Sequence, residues 1–241
     1  MRINDNHWLK SKFIAHRGLW NENIIENSIP AYQNAADNGF PIEIDVYITT
    51  DGKLVSFHDR PLKRMTGEDG FIYEKSLAEI KELRLLGSEQ KIPTLEEVLS
   101  IAKGKSPILI EIKNQPNAKV VDALVSALKD YDGEFAIQSF NPFYINRVKK
   151  LAPHFIRGIL GTECHAKNEG FIKKFLLKHL SLNFLIKPDF ISYSYTGLPL
   201  SKRKTKNKVV IAWTVADQKT ADNVKNYCDN IIFENFVPQS K

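Results

Sequence analysis

The chain has 241 residues, 43% hydrophobic and 26% charged, with a formal net charge of +6. This composition is ordinary for a globular protein, and no stretch reaches the roughly 18 consecutive apolar residues of a membrane span. The polar start MRINDNHWLKSK predicts no secretory signal and a cytoplasmic location, Cys164 and Cys228 have no metal-ligand spacing and read as reduced thiols, and no nucleic-acid motif accompanies the basic charge.

In chain order, short β-rich runs recur, each followed by a helical or loop segment. They are KFIAH (12–16), PIEIDVYI (41–48), ILIEIK (108–113), FAIQSF (135–140), FIRGIL (155–160), FISY (190–193), VVIAWTV (209–215) and NIIFE (230–234). Several are nearly continuous apolar runs, the mark of parallel strands buried on both faces. Between them, Ser28 to Asn38 puts Ile29, Tyr32, Ala35 and Ala36 on one helical face and stops at Gly39. PTLEEVLSIAKG opens with Thr94 and Glu97 in capping-box spacing. Residues 118–133 repeat apolar positions at helical period, and TADNVKNYC (220–228) reads as a short helix before the last strand.

VYITTDGKLVSFHD breaks the rhythm. Its two strand-like halves are joined only by Thr50-Asp51-Gly52, too short for a parallel crossover and typical of a hairpin. KLVSFH therefore returns antiparallel and is not a barrel strand. Eight parallel strands remain, which predicts a TIM (β/α)8 barrel as a single domain over 1–241, with a β-hairpin extension after the second strand. An open doubly wound sheet is the competing arrangement, but no Gly-rich phosphate loop follows the first strand.

In such a barrel the site lies at the C-terminal ends of the strands. There the sequence places His16 and Arg17, Glu43 and Asp45, His58 and Asp59, and Glu111 and Lys113. Glu43 and Asp45 share a strand face, as do Glu111 and Lys113. Three carboxylates, Glu43, Asp45 and Glu111, suit one hard divalent cation, Mg²⁺ or Ca²⁺. Arg17 and Lys113 suit a phosphate oxyanion, and His16 and His58 suit acid–base work near neutral pH. Together they point to phosphodiester cleavage.

AHRG (15–18), EN (26–27), EIDVYITTDGKLVSFHD (43–59), RMTGEDG (64–70), IPTLEEVL (92–99) and IEIK (110–113) resemble the glycerophosphodiester phosphodiesterase family. The match is dense over 13–113 and thinner afterwards, where SF (139–140) and AWTV (212–215) are the anchors. The resemblance implies Glu43, Asp45 and Glu111 as metal ligands, His16 and His58 as general base and acid, and Arg17 and Lys113 as phosphate ligands. It implies attack by a glycerol hydroxyl, a cyclic phosphate, and release of sn-glycerol 3-phosphate in glycerol and lipid metabolism. It also implies that the inserted segment at about 60–92 caps the substrate end, and that Trp213 and Phe140 stack on the substrate, the alternative for both being core packing.

The chain departs from the family pattern at Ile25, where proline often precedes Glu-Asn, at Phe233 and Glu234, where smaller groups are common, and at Ala216, where asparagine is frequent. SKRKTKNK (201–208) reads as a solvated loop, and FIKKFLLKHLSLNFLIKPD (171–189), with a structural His179, as a helix packing on the barrel. Cys164 has no base partner that would make it a catalytic thiol. The expected partner is a small phosphodiester, with no nucleic acid; membrane contact is the less favoured reading, and the chain is expected as a monomer or homodimer. The competing functions are a phospholipase C- or D-like enzyme acting on a lipid headgroup and a non-catalytic phosphodiester-binding protein.

Overall fold

The computed structural model describes residues 2–163, 180 and 182–239. Cys164, His179 and much of the stretch 171–189 lie outside the described residues. The chain divides into two compact units, Ala15–Phe135 and Met1–Ile14 with Ala136–Lys241.

In the first unit, β1 (Ile14–Ala15) is only two residues long, and Ala15 pairs in parallel with Ile42. The strand expected over 12–16 is cut short because Arg17 takes the left-handed backbone, φ 58°. β2 (Ile42–Ile48) is buried at every position, as its β-branched and aromatic alternation favours. After the turn, β3 (Leu54–Ser56) returns antiparallel, Val46 opposite Ser56 and Ile48 opposite Leu54. Gly52 takes φ 82° in that turn, and Thr49 Oγ1 donates to Asp51 Oδ1 at 2.6 Å. β4 (Ile108–Ile112) runs parallel to β2 with Glu111 opposite Asp45.

Local chemistry fixes the helices of this unit. Ser28 caps Ile29–Asp37, with proline in the first turn where no amide is needed. Thr94 and Glu97 form the expected capping box at the start of Leu95–Ala102. The inserted segment carries the short helices Lys63–Thr66 and Leu77–Glu82. It has a core of its own, in which Leu62, Met65, Ile72, Ile80, Leu85 and Ile92 pack on Tyr47, Val55 and Phe57 of the hairpin. Ile25 packs against the same core, which accounts for the apolar residue at this departure from the family pattern.

The second unit holds β5 (Phe135–Ser139), β6 (Arg157–Gly161), β7 (Phe190–Ser194), β8 (Val209–Val215) and β9 (Asn230–Phe233), all parallel to their neighbours. Gly158 and Gly161 are required for close approach: a Cβ there would lie 2.2 Å from the Phe190 ring and 2.6 Å from the Tyr193 ring. Asn230 donates through Nδ2 to the carbonyls of Leu9 and Lys12, which fastens the N-terminal helix Trp8–Ser11 beside β9. Phe233 is buried and meets Phe236 edge-on, so its bulk fills core. The last helix, Gln218–Val224, begins earlier than the sequence suggested, because Asp217 caps it by accepting from the Thr220 amide. The basic run 201–208 folds into the short helix Lys202–Thr205.

All strands but β3 have parallel partners, the complement of a TIM (β/α)8 barrel. No helix among the described residues is long and apolar enough to cross a membrane.

Candidate active site

Seven of the nine residues singled out from the sequence lie in the unit Ala15–Phe135: Glu43 and Asp45 within β2, Glu111 within β4, and His16, Arg17, His58 and Lys113 just past β1, β3 and β4. Glu43, Asp45 and Glu111 are only 2%, 1% and 7% exposed, and each offers a carboxylate oxygen within 4.8 Å of the others. The parallel register between β2 and β4 brings them together. Lys113 follows the end of β4, where its amide still donates to the Val46 carbonyl. Its ammonium lies 3.1 Å from Asp45 Oδ1 and 2.9 Å from Glu111 Oε1.

Buried carboxylates persist only with compensation. Burial works against the ionised form of Asp45, but Lys113, His58, Arg17 and His16 outweigh it and hold its carboxyl well below the usual range. Glu43 goes the other way: burial first, then the charges of Asp45 and Glu111, push it well above that range. Burial also raises Glu111, with Lys113 offsetting part of the effect. Burial opposes the charge on Lys113 as well, but Asp45 and Glu111 keep it protonated. Three carboxylate oxygens this close together suit a divalent cation, whose charge would relieve the repulsion that raises Glu43.

The loop after β1 closes over this cluster. The Arg17 amide donates to Glu43 Oε2 at 3.1 Å, and its side chain donates through Nη1 to Glu26 Oε1 at 2.8 Å. Arg17 Nε lies 3.9 Å from Asp45 Oδ2 and is buried with no hydrogen-bond partner among the described residues. Gly18 is the position where only glycine fits: φ is 82°, and a Cβ would lie 2.7 Å from the Ala31 backbone. Asn27, at φ 50°, donates its amide to the Arg17 carbonyl and its Nδ2 to Asp45 Oδ2 at 3.2 Å. Tyr32 holds Asn27 in turn, donating to its Oδ1 at 2.7 Å and accepting from Ser56 Oγ at 2.6 Å.

His58 follows β3, with its Nδ1 2.7 Å from Asp59 Oδ1. Burial opposes ionisation of Asp59, but the bonds from His58 and Arg64 hold its carboxyl well below the ordinary range. A charged carboxylate only accepts, so Nδ1 carries the proton and Nε2 is left for exchange. His16 is half-buried at the start of the same loop as Arg17, and its charge acts on Asp45.

Trp213 and Phe140 belong to the second unit, where their rings meet edge-on with centroids 5.5 Å apart. The Trp213 indole N–H is buried with no partner among the described residues.

Sequence reasoning had no role for Glu26, Arg64, Tyr32 or Ser56. Glu26 and Arg64 stood inside quoted motifs, which was the available signal. Tyr32 looked only like a core position on a helical face.

Comparison with known proteins places the chain in a family. The family model described as the glycerophosphoryl diester phosphodiesterase family matches residues 16–236. A glycerophosphodiester phosphodiesterase from Caldanaerobacter subterraneus subsp. tengcongensis is 38% identical over 166 residues, 63% of this chain and 67% of that one. A lysophospholipase D from Homo sapiens is 33% identical over 137 residues, 52% of this chain and 43% of that one. Among solved structures, an Oleispira antarctica phosphodiesterase in complex with its product sn-glycerol-3-phosphate superimposes with a TM-score of 0.77 at 26% identity, covering 92% of each chain. The family match takes in most of the chain, from His16 past the last strand, and on that ground the chain belongs to the glycerophosphoryl diester phosphodiesterase family.

Proposed function

We propose that this protein hydrolyses glycerophosphodiesters to sn-glycerol 3-phosphate and an alcohol, with one divalent cation, Mg²⁺ or Ca²⁺, at Glu43, Asp45 and Glu111. The chain is a phosphoric diester hydrolase of its family. The observation that carries the reading is the buried carboxylate trio with Lys113, Arg17 and the His58–Asp59 pair around it, all within one compact unit. The product complex of the Oleispira relative supports the product class.

A bound cation would supply positive charge for the phosphoryl oxygens at the carboxylate trio. The residues of the chain do the rest. Arg17 and Lys113 attract and orient the anionic diester. One histidine takes the proton of the glycerol hydroxyl as its oxygen bonds to phosphorus. The other protonates the head-group oxygen as its bond to phosphorus breaks. In the cyclic phosphate that results, water attacks phosphorus, its proton passes to one histidine, and the ring oxygen leaves with a proton from the other. His58 is suited to this exchange because Asp59 fixes its tautomer and leaves Nε2 free. Trp213 and Phe140 form the aromatic pair proposed to stack on the substrate.

A second reading, cleavage of a lysophospholipid, is favoured by the similarity to the human lysophospholipase D. The test compares glycerophosphocholine with lysophosphatidylcholine, each before and after EDTA. Release of glycerol 3-phosphate from the first substrate, abolished by EDTA and restored by Mg²⁺ or Ca²⁺, is the expected result. Faster turnover of the lysolipid would move the assignment to the second reading. Tight diester binding with no cleavage under any divalent ion would contradict both.

A further inference from the structure

The arginine that opens the inserted segment touches two of the rim loops at once. Arg64 sits on the helix Lys63–Thr66 and forks onto Asp59, Nε donating to Oδ2 and Nη2 to Oδ1 at 3.1 Å. The same Nη2 donates to Glu26 Oε1 at 2.6 Å, and that oxygen also accepts from Arg17. An unbroken chain of charge-assisted bonds therefore runs His58–Asp59–Arg64–Glu26–Arg17. It joins the loop after β3 to the loop after β1 through the insertion.

Isolated exposed ion pairs contribute little, about 0–1 kcal/mol. This one is different in geometry. Arg64 is 48% exposed, but Asp59 and Glu26 are only 20% and 12% exposed, and the guanidinium fork is bidentate. Both carboxylates touch one nitrogen of Arg64. Without that nitrogen between them, two carboxylate oxygens less than about 6 Å apart would repel in a partly desolvated setting. Asp59 would swing from His58, and Glu26 from Arg17.

We infer that Arg64 is a positioning residue that sets His58 and Arg17 together, so that the inserted segment acts on proton transfer and on phosphate binding and does not serve as a cover alone. The inference rests on the proposed phosphodiesterase reading for its activity readout. Arg64→Ala is expected to lose roughly 10–100-fold in kcat/KM, the usual share of an orienting partner. The loss should appear in both kcat and KM, since one arm ends on the histidine and the other on the phosphate clamp. Arg64→Lys, which keeps the charge but not the fork, should recover only part of it. Adding Asp59→Asn to Arg64→Ala should cost little more than the larger single change. Lys63→Ala, on the same short helix and paired with exposed Asp69, should leave turnover within about twofold.

A second readout needs no turnover. Nitrogen-15 NMR of His58 should show the Nδ1–H tautomer in the unmodified protein and a mixture in both Arg64→Ala and Asp59→Asn. If the unmodified protein cleaves no diester, the phosphodiesterase reading fails, while the tautomer measurement still decides the role of Arg64. If Arg64→Ala does not fold, Arg64→Lys is read by the same two measurements. Normal kcat/KM together with an unchanged Nδ1–H signal in a folded Arg64 variant would overturn the inference.

Discussion

The two compact units differ in the side chains they gather near the C-terminal strand ends. The unit Ala15–Phe135 gathers ionisable ones: three carboxylates, Lys113, Arg17 and the His58–Asp59–Arg64–Glu26 chain. In the other unit two side-chain bonds near the C-terminal strand ends join neutral groups, Ser192 Oγ donating to Gln138 Oε1 at 2.7 Å and Ser194 pairing with Thr196, beside the aromatic pair Phe140 and Trp213. Neutral pairs satisfy burial without an excess charge, whereas the carboxylate cluster leaves Glu43 pushed toward its protonated form. A strained charge balance marks a site built to receive something charged, and neutral pairs carry no such mark. Changes in the first unit should therefore act on chemistry, and changes in the second on stability or substrate fit.

The largest effects should come from the histidines. His16→Ala and His58→Ala are each expected to lower turnover by about 10²–10⁴-fold while the fold persists. Near-normal turnover in either would remove that residue from its role and weaken the contrast between the units.

Lys113→Met should come next, read by denaturant unfolding. It leaves the carboxylate trio without its ammonium, at an expected cost of about 3 kcal/mol in EDTA. Added Mg²⁺ or Ca²⁺ should recover part of that loss, because a cation can replace the missing charge. A variant equally stable with and without the ion would break the charge-balance argument.

A smaller effect is expected at Asp59, and it depends on pH. Its folded carboxyl titrates below the unfolded value of about 3.9, so its ion pairs add stability above that pH. That contribution is lost as pH falls through the folded value. Asp59→Asn should therefore be less stable than the unmodified protein at pH 7, and the gap should narrow at pH 3. A gap independent of pH would assign the effect to packing.

The smallest belongs to the second unit. Gln138→Leu leaves the Ser192 hydroxyl without its acceptor and should cost about 1–2 kcal/mol, with turnover unchanged. A large loss of activity there would blur the contrast between the two units.

Much of this was legible along the chain. The period-two charges of IEIDVYI and ILIEIK placed Glu43, Asp45, Glu111 and Lys113 on facing strands, because register in a parallel pair follows from the apolar pattern around them. The Asp-Gly turn gave the antiparallel return that delivers His58. What did not show was the bracing. Arg64 and Glu26 lie 38 residues apart, and only the folding of the insertion on the hairpin brings them together. The brevity of β1 was equally hidden, since a left-handed arginine has no propensity signal when the bonds that enforce it come from Glu26 and Glu43. Tyr32 reads as core by period, yet its hydroxyl supports Asn27 against Asp45.

The central claim is that Glu43, Asp45 and Glu111 hold one divalent cation on which hydrolysis depends. Its most direct test is release of glycerol 3-phosphate from glycerophosphocholine by chelated protein, titrated with Mg²⁺ or Ca²⁺, beside the same titration of Glu43→Gln/Glu111→Gln. The account predicts turnover restored at about one ion per chain in the unmodified protein and none in the double variant. Full turnover in the chelated protein, or equal restoration in the double variant, would contradict it.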